Sequence, residues 1–397
     1  MSASNIPLHL RRNRFALTEE LAGLRAHEPV THVTLPSGAT AWLVTRYEHV
    51  RQVLQDTVRF GNDGRAVPDP SSIGADMAPS NRQTRHGDLT AYDPPEHGRL
   101  RRVIATGFTA RRVQRLRPRI ESIVATALDA MEKAGPPADL VQCFALPIPS
   151  MVICELLGVP YADRAEFQQR TVTRFDGTRD MRTRMAAEAS SLKYMAGLVA
   201  RKRADPDEAL LGTLVREHGE EVDDRELVGI GDLLLLGGHE TTANMLALGS
   251  LFLLENPEHA ESARDAERID EMVEELLRYL SVVQSGVPRF AREDVTLAGQ
   301  HIRRGELLLC SLPSANHDDA LTPEAERFDA TRRTAHLAFG HGIHYCIGAP
   351  LARLEMRLAY PALLRRFPGL GLAVASDEVA FRPSSVFYGL RELPVTW

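Results

Sequence analysis

Phe339-Gly340-His341-Gly342-Ile343-His344-Tyr345-Cys346-Ile347-Gly348 places three glycines around one cysteine. Glycine tolerates φ > 0 and lets backbone come close to a bound group. A helical pattern resumes at Pro350 and runs to Phe367. Free N–H groups and the positive end of a helix therefore fall near the sulfur, and both favour thiolate over thiol. A bare Cys-x-Gly would read as a buried turn. The ten-residue pattern reads instead as a thiolate offered to a metal, and haem iron is one that such a thiolate holds.

The other cysteines, Cys143, Cys154 and Cys310, show no zinc or redox spacing with one another or with Cys346. Each reads as a small buried hydrophobe. Working toward the N-terminus, Asp223 and Asp224 cap a helical pattern that runs to about Glu255 and stops before Pro257. Inside it lies Gly237-Gly238-His239-Glu240-Thr241-Thr242. Two glycines in a helix interior cost roughly 1 kcal/mol each relative to alanine, so a local need is expected: room for a small ligand, with the helix free to widen. Glu240 and Thr241 offer an acid and an alcohol beside that room, as a proton relay would require. A second helix over about Ile269–Leu280 carries Glu275 and Arg278 at i, i+3, on one face.

These segments resemble the cytochrome P450 family. Its haem-binding signature, Phe-x-x-Gly-x-(Arg/His)-x-Cys-x-Gly, matches at Phe339, Gly342, His344, Cys346 and Gly348. Its oxygen-activation segment, (Ala/Gly)-Gly-x-(Asp/Glu)-Thr, matches at Gly237, Gly238, Glu240 and Thr241, and its Glu-x-x-Arg motif at Glu275 and Arg278. The resemblance runs from about residue 5 to the end of the chain. It implies haem b with Cys346 as the iron ligand, and Phe339, Gly340, Gly348, Gly237 and Gly238 against the haem. It implies propionate donors at His97, Arg101, Arg289, His336 and His344. Thr241 would support oxygen activation and Glu240 would feed it protons. Arg327, in Pro323–Phe328, would join Glu275 and Arg278 in a buried ion network that fixes the cysteine loop. Leu89, Leu233, Leu236, Val282, Val283, Val386 and Phe387, with the loop from Val67 to Ile73, would line the substrate space, and Gln169–Met185 would form part of a lid.

The implied fold is mainly α with small β-sheets (α+β): a triangular helical prism with a long central helix over the haem, built as one domain over 1–397. Its β-rich N-terminal part would cover about 28–60, its helical core about 93–281 and its haem-binding loop 339–348. The pattern of the chain agrees. Thr31–Thr45 alternates around Pro36-Ser37-Gly38 and reads as a hairpin. Tyr47–Gln55 reads as a short helix, 60–92 as a long loop, and Val287–Leu309 as short strands.

The implied activity is monooxygenation: haem-thiolate activation of O2 and hydroxylation or epoxidation of a bulky, largely apolar molecule. Only three of the 47 basic residues are lysine (Lys133, Lys193, Lys202), a bias typical of a GC-rich genome. With the resemblance, this suggests tailoring of a polyketide, macrolide or terpenoid natural product, as in antibiotic biosynthesis. Two other readings keep the haem, as a peroxide-dependent peroxygenase or as a haem sensor or electron carrier. The acid–alcohol pair argues against both.

The net charge of −6 is unlike that of a general nucleic-acid binder. Met1–Phe15 has no apolar stretch of signal-peptide length, and Asp232 and Glu240 interrupt the most apolar run, so a cytoplasmic, monomeric protein is expected. No Gly-x-Gly-x-x-Gly strand–turn–helix unit is present. Electrons are therefore expected from NAD(P)H through an external ferredoxin reductase and ferredoxin. Between Arg99 and Arg119 stand eight arginines and no acidic residue, a docking ground for an acidic partner centred on Arg102, Arg111 and Arg112.

Overall fold

The computed structural model describes residues 6–35, 38–62, 86–175, 179–382 and 385–397. The Pro36-Ser37 turn and the Val67–Ile73 loop lie outside them. Helices dominate the middle of the chain, and strands gather toward its ends. The hairpin forms as Val30–Thr34 against Thr40–Val44, followed by the helix Tyr47–Gln55.

That hairpin opens a five-stranded sheet ordered Val30–Thr34, Thr40–Val44, Leu307–Cys310, Val287–Ala291 and Phe60–Gly61. The pairing of Thr40–Val44 with Leu307–Cys310 is parallel and the other three are antiparallel. All four residues of Leu307–Cys310 are buried, as a strand covered on both faces requires.

The central helix spans Asp224–Glu255. Asp223 accepts from the Glu226 N–H and Glu226 reaches back to the Asp223 N–H, closing a capping box that fixes where the helix starts. From Thr242 to Leu253 every residue is buried. A helix apolar on all sides belongs inside a core. It packs against the helices Pro147–Leu157, Met181–Ala204 and Ala349–Arg366.

The contact with Ala349–Arg366 is set by one small residue. The Tyr360 hydroxyl donates to the Met245 carbonyl at 2.5 Å, and its ring lies over Gly249. A Cβ on Gly249 would stand 2.1 Å from the Tyr360 oxygen. Gly249→Ala should therefore destabilise the protein by about 1–3 kcal/mol through overpacking, although helix propensity alone favours alanine by about 1 kcal/mol. Denaturant unfolding gives the sign, and adding Tyr360→Phe should recover part of the loss.

Candidate functional site: a thiolate loop, a cationic cluster and the central helix

The cysteine loop is a succession of tight turns. The Gly340 N–H donates to Leu337 O at 2.8 Å, Tyr345 N–H to Gly342 O at 3.0 Å, and Cys346 N–H to Phe339 O at 2.9 Å. Gly340 and Gly342 both take φ of 72°. Gly342 also backs onto the helix Tyr47–Gln55, where a Cβ would come within 2.5 Å of Leu54 O. Only glycine fits there.

Of the four cysteines, Cys346 is the exposed one; Cys143 is half-buried, and Cys154 and Cys310 are buried. Burial pushes the Cys154 and Cys310 thiols up to about 12. At Cys346 the dense protein behind the sulfur also raises the thiol. The N–H groups of Gly348 and Ala349 and the guanidinium groups of Arg101 and Arg353 oppose that rise. The start of the helix Ala349–Arg366 thus supplies the donors that the spacing implied.

Arg353 holds the loop from the side. It lies 4.5 Å over the Phe339 ring, donates to the Tyr345 hydroxyl at 3.1 Å and grips both oxygens of Glu274 at 2.6 and 2.8 Å. His336 belongs to this group. Its Nε2 is 3.2 Å from Glu274, and its Nδ1 accepts from the Ala338 N–H. This corrects the propionate role expected for His336: its ring is taken up by Glu274, a carboxylate held low to about 2 by His336 and Arg353 against its burial.

His97, Arg101, Arg289 and His344 do converge. His97 and Arg101 sit one turn apart on the helix Glu96–Ala105, and Arg289 lies within the strand Val287–Ala291. The His97 and His344 rings are 4.1 Å apart. Asn62, which the sequence reading missed, places its Nδ2 2.8 Å from His344 Nε2. Arg101 donates to the Tyr345 carbonyl at 2.7 Å and Arg289 to its neighbour Pro288 at 2.7 Å.

His97 Nε2 is buried without a partner. Burial first, then neighbouring cations, lowers His97 to about 4 and His344 to about 2. Burial also lowers Arg101 and Arg289. Among the described residues no carboxylate forms an ion pair with either arginine; nearby Asp93 is tied to Arg292 at 2.6 Å. A buried cation such as Arg289 is costly without an ion pair. A group carrying two carboxylates, as haem does, fits this donor set, and the exposed Cys346 sulfur fits its iron.

Across the central helix the two glycines serve different needs. Gly238 packs on Ile153, where a Cβ would stand 3.0 Å from the side chain, whereas nothing lies within 4 Å of a Cβ on Gly237. The helix stays α throughout rather than widening. The Thr241 hydroxyl donates to Gly237 O at 2.6 Å. Glu240 is buried; it accepts from Asn244 Nδ2 at 3.2 Å and lies 3.4 Å from Arg382. The sequence reading missed both partners; the i, i+4 spacing of Asn244 from Glu240 was the signal that could have found the first, and nothing local points to Arg382 in the C-terminal tail.

Glu275 and Arg278 form a doubly bonded pair at 2.7 Å and 2.7 Å, both nearly inaccessible. Arg278 also donates to the carbonyls of Asn316, Ala325 and Arg327. Here the structure corrects the sequence reading. Arg327 contributes its carbonyl, while its side chain is 65% exposed and pairs with Glu324. The buried guanidinium 3.4 Å from Glu275 is instead that of Arg332, five residues further on.

Leu233 and Leu236 line a cavity of about 640 Å³ between the central helix and the helix Met181–Ala204. Leu89, Val282, Val283, Val386 and Phe387 are not part of its wall. Leu89 and Val282 are buried in the core, Val283 bridges Phe387 across an antiparallel pair, and Val386 is exposed. In the lid segment Arg174 is no solvated residue: it is buried against Asp232.

Arg332→Ala should cost about 1–3 kcal/mol, because Glu275 keeps its two bonds from Arg278 and what is lost is a 3.4 Å ion pair and the bonds of Arg332 to the Thr322 hydroxyl and the Pro323 carbonyl. Arg327→Ala should stay within about 0.5 kcal/mol, as an exposed side chain does. Chemical denaturation of the two variants compares them directly.

A family model described as Cytochrome P450 matches residues 200–369. The chain is 44% identical to cytochrome P450 FAS1 of Rhodococcoides fascians, over 99% of each chain. It is 43% identical to cytochrome P450 165B3 of Amycolatopsis orientalis, over 98% of each. The solved structure of P450 StaH, from the biosynthesis of a glycopeptide antibiotic, superimposes with a TM-score of 0.88 at 46% identity, covering 99% of this chain and 100% of that one. Likeness at this level over the whole length is common descent, and the chain belongs to the cytochrome P450 family.

Proposed function

We propose that this chain is a ferredoxin-dependent haem monooxygenase that hydroxylates or epoxidises a bulky, largely apolar natural product. The observation that carries the reading is the exposed Cys346 beside four basic side chains, of which His97 and Arg289 are buried, with no ion pair to a carboxylate at Arg101 or Arg289 among the described residues. Cys346 would hold the iron, and His97, Arg101, Arg289 and His344 the propionates. Haem so bound supplies the activation of O2 and the transfer of one oxygen atom to substrate.

The chain's own residues frame that chemistry. Gly237 leaves open space on the central helix. Thr241 carries its proton there, parked on the Gly237 carbonyl. Glu240 stands behind it, held by Asn244 and Arg382 away from direct contact, so protons would pass from Glu240 through water and the Thr241 hydroxyl. A peroxygenase or a haem sensor has little use for this acid–alcohol pair. Tailoring of an antibiotic or related metabolite is supported by StaH, whose printed description assigns it to such a pathway.

Arg102 and Arg111 are exposed, and Arg112 pairs loosely with Glu217 at 3.4 Å. They are available to an acidic ferredoxin. No helix among the described residues is long and apolar enough to cross a membrane.

The reduced protein should show, with carbon monoxide, the long-wavelength Soret band of thiolate-ligated haem, and Cys346→Ala should lose it. A band at the histidine-haem position in freshly prepared protein would refute the ligand assignment. Thr241→Ala should uncouple NADPH and O2 consumption into hydrogen peroxide release. Charge reversal at Arg102, Arg111 and Arg112 should slow first-electron transfer in a salt-dependent way, and unchanged reduction kinetics would remove the docking assignment.

A further inference from the structure

We infer that Asn62 is a positioning residue for haem: it fixes the tautomer of His344, leaving Nδ1–H as the one donor that this ring offers a propionate. The inference rests on the haem reading above and deepens it. The family signature accepts arginine or histidine at this place. Arginine donates from every nitrogen of its guanidinium, whereas a neutral histidine donates from one nitrogen only. Which nitrogen that is depends on the partner of the other.

The backbone puts Asn62 in place. The strand Phe60–Gly61 runs antiparallel to Val287–Ala291 with Gly61 opposite Phe290, so the next residue, Asn62, comes level with Arg289. Glycine is required at 61: a Cβ there would stand 2.5 Å from Arg292 Nε and 2.8 Å from Asp93 Oδ2. That room admits the Asp93 carboxylate, which pairs with Arg292 at 2.6 Å and accepts the Asn62 N–H at 3.0 and 3.1 Å. The main chain of Asn62 is thus clamped before its side chain makes any contact.

The side chain then decides the tautomer. Asn62 Nδ2 lies 2.9 Å from the Thr90 carbonyl oxygen and 2.8 Å from His344 Nε2. A carbonyl oxygen only accepts, so the amide atom facing it is the nitrogen; the flipped amide would set two oxygens against each other. That nitrogen carries two hydrogens, one for Thr90 and one for His344. His344 Nε2 therefore accepts and holds no proton, and the proton of the neutral ring is on Nδ1. Arg289, His97 and Arg101 stand near enough for their charges to act on this ring, so the Nδ1–H belongs to the same cluster as the other expected propionate donors.

The test uses the full-length, haem-loaded protein, reduced and bound to carbon monoxide so that the iron is diamagnetic. Two-bond proton–nitrogen correlation spectra of protein with isotope-labelled histidine, His344 being assigned by its absence from His344→Arg, should show its proton on Nδ1 and none on Nε2. A proton on Nε2, alone or beside one on Nδ1, overturns the inference. Transfer of haem to apomyoglobin gives the second readout. Asn62→Leu should lose haem about tenfold faster than the wild type, the scale of one net hydrogen bond. In the His344→Arg background, where the side chain donates without a partner, the same substitution should change the rate by less than about twofold. An unchanged rate in the single variant, or equal acceleration in both backgrounds, means that Asn62 only fastens the sheet edge, and the inference falls. The position of the carbon monoxide band in the same samples tests the Cys346 thiolate, so the monooxygenase reading and this inference can fail separately.

Discussion

The Cys346 sulfur stands among fixed donors, against dense protein that favours the neutral thiol, and much of the architecture around the loop serves that placement. Burial alone drives Cys346 toward the neutral thiol, as it does Cys154 and Cys310. What distinguishes Cys346 is the set of fixed donors around it: the first N–H groups of a helix and two guanidinium groups. A loop able to present a sulfur to those donors needs left-handed backbone at Gly340 and Gly342 and a close approach to Leu54. Composition and geometry in the ten-residue stretch are thus two sides of one electrostatic requirement.

Two ion networks stand behind the loop. One is deep: Glu275, Arg278 and Arg332, with Arg278 gathering carbonyls from three separated positions. The other is adjacent: Glu274, Arg353 and His336, pressing on Phe339 and Tyr345. Each is anchored on the helix Ile269–Leu280, at neighbouring positions 274 and 275. That single helix therefore carries both networks, and through Glu274 and Arg353 it reaches Phe339 and Tyr345. Buried ion pairs of this kind are poor sources of stability and good sources of registration.

The central helix divides its labour by position. Its C-terminal half is core on every side, its middle carries Gly237 and Thr241, and its N-terminal half lines the cavity with Asp232, Leu233 and Leu236. One rod therefore ties the cavity wall, the Gly237–Thr241 turn and the core packing together. Displacement at the Tyr360–Gly249 contact would be felt along its length.

Much of this was legible in the residues. Asp223 and Asp224 mark the start of the central helix, Pro257 its end, and the structure begins and ends it there. Local chemistry decides such features: a cap, a missing N–H, a glycine at φ > 0. His97, Arg101, Arg289 and His344 were also named from the chain, through the motifs around them. The sequence could not decide which arginine completes the Glu275 network, nor that His336 turns to Glu274, nor that Arg382 and Asn62 reach the site. It also could not pair Arg174 with Asp232, residues 58 positions apart on different helices. Sequence determines what each segment can form by itself. Where a long charged side chain ends up depends on which anion, carbonyl or aromatic face the packed elements bring within its reach, and that exists only once the tertiary structure has formed.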